Sequence, residues 1–334
     1  MNNIRPPLLS VVIPTHKRPQ WLPRAIDSAL QAAPDGDVEV IVVPNGPDES
    51  WKAVAATYAG EHHMGWHPVA IAHANVARNH GKQLASGKYI RFLDDDDYLL
   101  PAAAQQLALL EATGAEVCSG RIENIDEDGG THGLLSFPDT NDFVCSAVSF
   151  SGFALPTAHV YLRSCLENSA WDAALGRRQD YAWMLELASN REWKWVDLDK
   201  PVGAWFQHRG TRISHEKFMK EREQPVVDTL IALHRKLGED KRLDSARSAA
   251  IANALWHHAH LGFPYHPRYW TGIARRAQSI CPEARPPHPF FETGLMHAID
   301  PVVGEWALLP LRKVVKAARS FAARQRDTRH TRQL

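Results

Sequence analysis

Four consecutive carboxylates, Asp94-Asp95-Asp96-Asp97, follow an apolar run, Tyr89-Ile90-Arg91-Phe92-Leu93. Like charges set this closely repel one another, and carboxylates drawn out of water must be paired or bind a metal. Mg2+ or Mn2+ takes oxygen ligands, usually one or two carboxylates plus substrate phosphates. A metal bridging a diphosphate stabilises it as a leaving group. The alternative is a solvated acidic turn capping a helix that opens near Pro101; the position after an apolar strand favours the metal chemistry. Neither G-x-G-x-x-G nor G-x-x-x-x-G-K-[ST] occurs, so dinucleotide binding and P-loop chemistry lose their main support. His257 and His260 are three apart on a helical stretch and could share a metal, but no carboxylate or third ligand stands near them in sequence. His62, His63 and His67 form a similar loose group around Trp66. Cys118, Cys145, Cys165 and Cys281 are far apart with no C-x-x-C, which argues against a zinc ribbon or a disulfide-dense secreted domain and for a reducing cytoplasm.

The elements that must position these residues alternate. Leu8 to Ile13 is a β-branched run that Pro14 is expected to stop. A helix follows, with Trp21/Leu22, Ala25/Ile26 and Ala29/Leu30 at helical spacing. Pro34 to Asp37 is a turn, Val38 to Val43 a second strand, and Pro44-Asn45-Gly46-Pro47 closes it. A helix is expected over roughly 49–59, a short strand over 69–72, a helix over 75–85, a strand over 89–93 and a helix over 101–113. Strand and helix in alternation with short links predict a mostly parallel sheet flanked by helices. Ligands bind outside the carboxyl ends of such strands. Pro14-Thr15-His16, Pro44-Asn45-Gly46 and Asp94 to Asp97 all lie there and imply one shared cleft.

These segments carry a family resemblance. Ser10-Val11-Val12-Ile13-Pro14-Thr15-His16-Lys17-Arg18 resembles the opening "SVVIPTYNR" of family 2 glycosyltransferases, and Val38 to Gly46 their "EVIVVDDGS". Asn75 to Gly81 with Ala85 to Ile90 is similar to "AARNxG…ATGEYI", and Phe92 to Pro101 to "FLDSDDxLxP", which contains the DXD motif. Gly176 to Leu187 resembles the "xxEDYDLWLRL" helix, and Trp205 to Ser214 the "YRxHxxSxS" segment. The resemblance covers residues 8–215. It implies a GT-A fold (Rossmann-like), a nucleotide-diphosphosugar donor with UDP favoured, Mg2+ or Mn2+, and inversion at the anomeric carbon. By the same resemblance Pro14, Thr15 and Asn45 would line the base pocket, and Arg78 would face the base or diphosphate. Asp94 would meet the ribose or a metal-bound water, with Asp95 beside it at the donor. Asp96 would be the main metal ligand, with Asp94 as a further ligand, and His208 would ligate the metal or contact the diphosphate. Arg209 and Arg212 would neutralise the diphosphate, since Arg suits phosphate geometry. Inversion by direct displacement needs one general base, and Asp180 aligns with it; Gln179 replaces the usual Glu before it. A carboxylate opening an apolar helix is also a favourable N-terminal cap. Pro44 and Pro47 depart from the family's Asp and Ser. Trp171, Trp183, Trp193, Trp195 and Trp205 are core residues or sugar-stacking platforms.

Net charge is zero overall but divided. Residues 1–215 hold 18 Lys and Arg against 26 Asp and Glu, a net −8; residues 216–334 hold 20 against 12, a net +8. The second part is expected to be mainly helical, with 262–292 an irregular connector rich in Pro, His and aromatics. Its tail, 311–334, sets Leu311, Val314, Val315, Ala318, Phe321 and Ala322 on one stripe and carries eight basic residues against Asp327. Such a helix can lie peripherally on an anionic membrane surface; the alternative is an ordinary packed helix with a disordered basic end. No apolar run of about 18 residues exists, and no signal-peptide layout opens the chain. The expected protein is a cytoplasmic enzyme at the inner face of the cell membrane, building a cell-surface polysaccharide on a glycan or lipid-linked acceptor, with no nucleic-acid partner. A nucleotidyltransferase is the rival, though it would leave Asp180 without a role and its glycine-rich first loop is missing; a non-catalytic sugar-nucleotide or glycan-binding relative is the third reading.

Overall fold

The computed structural model describes residues 6–208, 220–291 and 298–330. The chain divides into two compact units, residues 1–215 and 216–334. In the first, β1 (Leu9–Thr15), β2 (Val38–Pro44), β3 (Met64–Trp66) and β4 (Tyr89–Phe92) form a parallel set in the order β3-β2-β1-β4. Helices α1 (Leu22–Leu30), α2 (Trp51–Thr57) and α3 (Ala74–Leu84) connect these strands. α3 comes so close to β1 that a Cβ on Gly81 would meet Val12 Cγ1 at 2.4 Å. Beyond β4 the sheet becomes mixed. β5 (Tyr98–Leu99) and α4 (Ala103–Thr113) lead into β6 (Val117–Asp126), with β7 (Thr131–Leu134) at its side. After α5 (Phe143–Ala147), β8 (His159–Leu162) runs antiparallel between β4 and β6. After α6 (Gln179–Asn190), the long β9 (Trp195–Gln207) lies parallel to β6 and antiparallel to β5.

Pro14 does not end β1, which is buried through Thr15. Val12 accepts the Leu93 N–H at 3.0 Å, so residue 12 faces β4, and Pro14, two residues on, faces the same side. Pairing with β4 ends at Val12–Phe92. The missing proline N–H therefore removes no ladder bond, which is the condition for proline in a strand. The strand expected at 69–72 is reduced to a single bridge between Asn45 and Val69; Met64–Trp66 takes the third position instead.

One core feature gives no sequence signal. Arg91 in β4 is fully buried and bonded to neutral groups, the His159 carbonyl at 3.2 Å and the Gln106 amide oxygen. Burial lowers its guanidinium to about 10. His159, also fully buried, bonds Ser119 Oγ at 2.7 Å and the Phe153 carbonyl at 2.6 Å, and burial lowers it to about 4.

The second unit is helical: α7 (Lys220–Glu239), α8 (Ser245–Gly262), α9 (Pro267–Ile280) and α10 (Pro301–His330). The connector expected over 262–292 is corrected by α9. Pro267 sits in its first turn, where a missing N–H is harmless, and Trp270, Ala274 and Ala277 form its buried stripe. Among the described residues no helix is long and apolar enough to cross a membrane.

Candidate active site

The carboxyl ends of β1, β2 and β4 meet as the alternation requires. Thr15 and Asn45 are tied together: the Thr15 carbonyl accepts both the Asn45 backbone N–H at 3.0 Å and its side-chain Nδ2 at 2.9 Å. The Asn45 amide donor is thus engaged in holding the two loops in register. His16 extends the tie through Nδ1, 2.6 Å from the Asn45 carbonyl, and its N–H donates to Asp95 at 3.3 Å.

The four aspartates point to different partners. Asp94 Oδ1 lies 2.6 Å from Arg78 Nη2. Asp95 Oδ1 and Asp96 Oδ2 both meet Arg18 Nη1, at 3.1 and 2.8 Å. Asp96 Oδ2 also lies 3.0 Å from His208 Nε2, and the His208 ring stacks on Trp21 with centroids 3.8 Å apart. Asp97 turns the other way, accepting the Phe206 N–H at 3.0 Å and the Thr157 hydroxyl at 3.3 Å. The cluster is therefore partly compensated by side chains, Arg18 and Arg78 supplying two positive charges against four carboxylates. Asp95 is pushed up to about 7, chiefly because it is withdrawn from water, with Arg18 opposing and Asp96 and Asp94 adding repulsion. Arg24 donates to the Asp96 carbonyl at 3.2 Å and sits between the Tyr98 and Phe206 rings, 4.3 and 3.8 Å from their centroids.

Arg78 joins this cluster to α6. Its side chain is 4% exposed. Its Nη1 donates to Asn75 Oδ1 at 2.8 Å and to Gln179 Oε1 at 3.2 Å, and Nη2 lies 3.5 Å from Asp180 Oδ1. Its guanidinium lies 4.4 Å over the Trp171 ring. Burial opposes the charge on Arg78, but Asp94 and then Asp180 outweigh it and raise the group. Gln179 in place of glutamate keeps the acceptor for Arg78 without adding charge, and its Nε2 donates to the Leu175 carbonyl at 2.9 Å. Asp180 lies in the first turn of α6, and the residue at the cap position is Arg178, in the left-handed region at φ 55°. Asp180 Oδ1 accepts no hydrogen bond from the described residues. Desolvation pushes this carboxyl up to about 7, with Arg78 opposing and Asp94 and Asp96 adding to the rise.

Asp96 and His208 offer one carboxylate oxygen and one imidazole nitrogen at a common point. Among the described residues no three His, Cys, Asp or Glu side chains converge as a metal site. This donor pair fits a divalent cation that takes most of its ligands from substrate phosphates and water, while Asp94 is held by Arg78. Arg209 and Arg212 lie outside the described residues, as does the tail from 331 onward.

Sequence reasoning missed several partners. Arg18 and Trp21, just before α1, meet the acidic cluster and His208; Arg18 closes the opening motif quoted above, but no site role is read from it for either. His260 has a carboxylate after all: its Nδ1 and Arg312 both bond the buried Glu305, and His258 lies 3.3 Å from buried Glu223. Those carboxylates are 45 and 35 residues away in sequence, beyond any helical spacing. Trp171, Trp183 and Trp193 are buried, and the first two stack in parallel with centroids 4.6 Å apart. Trp195 bonds Ser119 Oγ at 2.9 Å, and Trp205 lines a surface cleft.

Residues 10–163 match the sequence model of Glycosyl transferase family 2. An uncharacterized glycosyltransferase of Mycoplasma pneumoniae is 32% identical over 111 residues, 30% of this chain and 35% of that protein. The GalNAc(5)-diNAcBac-PP-undecaprenol beta-1,3-glucosyltransferase of Campylobacter jejuni is 27% identical over 217 residues, 62% of this chain and 64% of that one. The chain thus spans about a third of the first relative and under two thirds of the second. In fold it is similar to S. aureus TarS residues 1–349 crystallised with UDP-GlcNAc, with a TM-score of 0.63, 16% identity and 82% of each chain covered. Residues 10–163 thus match glycosyltransferase family 2 in sequence, and the mixed sheet of the first unit has a GT-A fold.

Proposed function

We propose that the chain is an inverting, metal-assisted glycosyltransferase. It moves a sugar from a nucleotide-diphosphosugar, with UDP as the favoured nucleotide, to a glycan or lipid-linked acceptor in cell-surface polysaccharide synthesis. The observation that carries this reading is Arg78: one buried guanidinium touches Asp94 on the donor side and Asp180 on the catalytic helix. Donor-binding residues and a single candidate base then share one cleft. Asp180 takes the proton from an acceptor hydroxyl as that oxygen attacks the anomeric carbon and the bond to the diphosphate breaks. One displacement of this kind inverts the configuration. Pro14, Thr15 and Asn45 are assigned to the base pocket, and Arg18, Arg209 and Arg212 to neutralising the diphosphate. Asp96 and His208, with Asp94 and Asp95 beside them, would hold Mg2+ or Mn2+, which when bound neutralises the leaving diphosphate.

The first unit is assigned the donor and the chemistry, the second an anchoring role. On α10 the apolar Leu311, Val314 and Val315 are 61%, 66% and 42% exposed and lie beside exposed Lys313, an arrangement suited to a reversible anionic membrane contact. Arg312 is already engaged with Glu305 and is not counted towards that contact. The test has two parts. A panel of nucleotide-sugars is screened by thermal shift with and without Mn2+, since a ligand of the native state raises stability. The anomeric configuration of the product made from the stabilising donor is then read by NMR. A retained configuration, or no stabilising donor, overturns the reading. For the anchor, the full chain should co-sediment with anionic vesicles at low salt and a chain ending before Leu311 should not.

A further inference from the structure

A cleft of about 260 Å³ lies in the first unit, and none of the four aspartates lines it. Phe150 and Trp205 line it, together with the hydroxyl-bearing Ser136 and Ser151 and the aliphatic Leu135 and Leu155. Phe150 is 37% exposed, a high value for so large an apolar ring, and Trp205 is half-buried. Gly152 keeps the floor open: its N–H donates to the Ser136 carbonyl at 2.9 Å, and a Cβ there would meet Leu135 Cβ at 2.8 Å.

The position of the cleft gives it meaning. The Phe150 ring centroid is 5.4 Å from that of Tyr181, and the Arg178 guanidinium lies 4.8 Å over the Phe150 ring. Tyr181 and Arg178 flank Asp180 in sequence, one residue after and two before. Arg178 holds its place with φ 55°, a conformation that costs a non-glycine residue energy and that clusters at functional sites. On the other side, Trp205 precedes Phe206, whose N–H binds Asp97. The cleft is therefore bracketed by the helix that carries the base candidate and the end of the acidic cluster.

Its size and lining select the occupant. Pockets for drug-sized ligands run about 300–1,000 Å³, so this one is too small for a nucleotide-sugar and suits a single ring. A sugar ring has an apolar C–H face and a rim of hydroxyls. The aromatic faces of Phe150 and Trp205 match the first, and the hydroxyls of Ser136 and Ser151 match the second. We propose that this cleft is an acceptor subsite that seats one sugar ring on Phe150 and Trp205, beside Asp180. The proposal rests on the glycosyl-transfer reading above and specifies which surface receives the acceptor.

The test uses saturation-transfer NMR on the full chain, with the methyl β-glycosides of glucose, galactose and N-acetylglucosamine as probes, each with and without UDP and Mn2+. At least one glycoside should receive saturation at its ring protons in the wild type and in Phe150→Tyr. In Phe150→Ala the affinity should fall about fivefold, the scale of one lost aromatic contact. The thermal shift given by UDP should be the same in all three proteins, which also shows that each is folded. Equal glycoside signals in the wild type and Phe150→Ala, or none in the wild type, overturn the proposal. So does saturation of geraniol, an isoprenoid probe, in place of the glycosides. A wild type that binds a glycoside through Phe150 but never UDP would instead sink the donor reading and leave the subsite standing.

Discussion

Replacing Asp97 with alanine should unfold the protein early rather than disarm it. Asp97 is 3% exposed, and its carboxylate holds the Phe206 N–H and the Thr157 hydroxyl. Hydrogen bonds to a charged group contribute about 1.5–3 kcal/mol each, and a buried donor left unpaired costs about 1–3 kcal/mol. Asp97→Ala removes the shared acceptor and strands both donors where β9 meets β5, so a loss of at least about 3 kcal/mol is expected. For a unit of this size each kcal/mol moves the melting temperature by roughly 2–4 °C, which gives a fall of about 6–12 °C. Asp96→Ala is the control. Its partner Arg18, 24% exposed, still has Asp95, but the buried His208 Nε2 loses its carboxylate, so a smaller loss of about 1–3 kcal/mol is expected. Scanning calorimetry on both variants measures the melting temperatures, and UDP with Mn2+ added below the transition measures donor binding. Asp97→Ala should melt earlier than Asp96→Ala and still bind, and Asp96→Ala should bind poorly. If Asp97→Ala melts within about 2 °C of the wild type, the division of labour among the four aspartates is wrong.

Asp180→Asn should lower turnover about 10²-fold or more with donor affinity little changed, the scale of a lost general base; near wild-type turnover would place the base elsewhere. Chelation by EDTA should abolish transfer and added Mn2+ restore it, and full turnover in chelator would remove the metal from the mechanism. His159 should make the fold acid-sensitive. Burial lowers its pKa in the folded chain to about 4 from the ordinary 6.5, so the unfolded state binds the proton more readily. The stabilising contribution is present above pH 6.5 and lost as pH falls towards 4, about 3 kcal/mol in all at 1.36 kcal/mol per unit. In His159→Gln this part of the pH dependence should vanish from urea unfolding curves measured between pH 4 and 7.

The first four strands and their helices were legible because each is a β-branched or helical-period run closed by proline or glycine. The carboxyl ends of three strands were legible as one cleft for the same reason. What failed was contact at long range. The site roles of Arg18 and Trp21 were not legible because their partners, Asp95, Asp96 and His208, are 77 to 187 residues away and no local pattern records that distance. The antiparallel insertion of β8 followed from no periodicity, since a strand of four residues has the same pattern in either direction. Asp97 sits inside the recognised motif yet serves the sheet, which only the direction of its side chain reveals. In the second unit the composition of 262–292 misled: proline at a first turn and tryptophan on a buried stripe are helix features that also occur in loops.

Arg78 holding Asp94 and Asp180 at once makes proton affinity and ligand affinity two sides of a single equilibrium. A ligand that draws Asp94 away leaves more of the guanidinium charge to Asp180 and lowers its hold on a proton. By thermodynamic reciprocity, loss of that proton must tighten the same ligand by the same factor. On the proposed function, a donor that engages Asp94 would arm Asp180 as the base, and the joint would favour an ordered sequence, donor before acceptor.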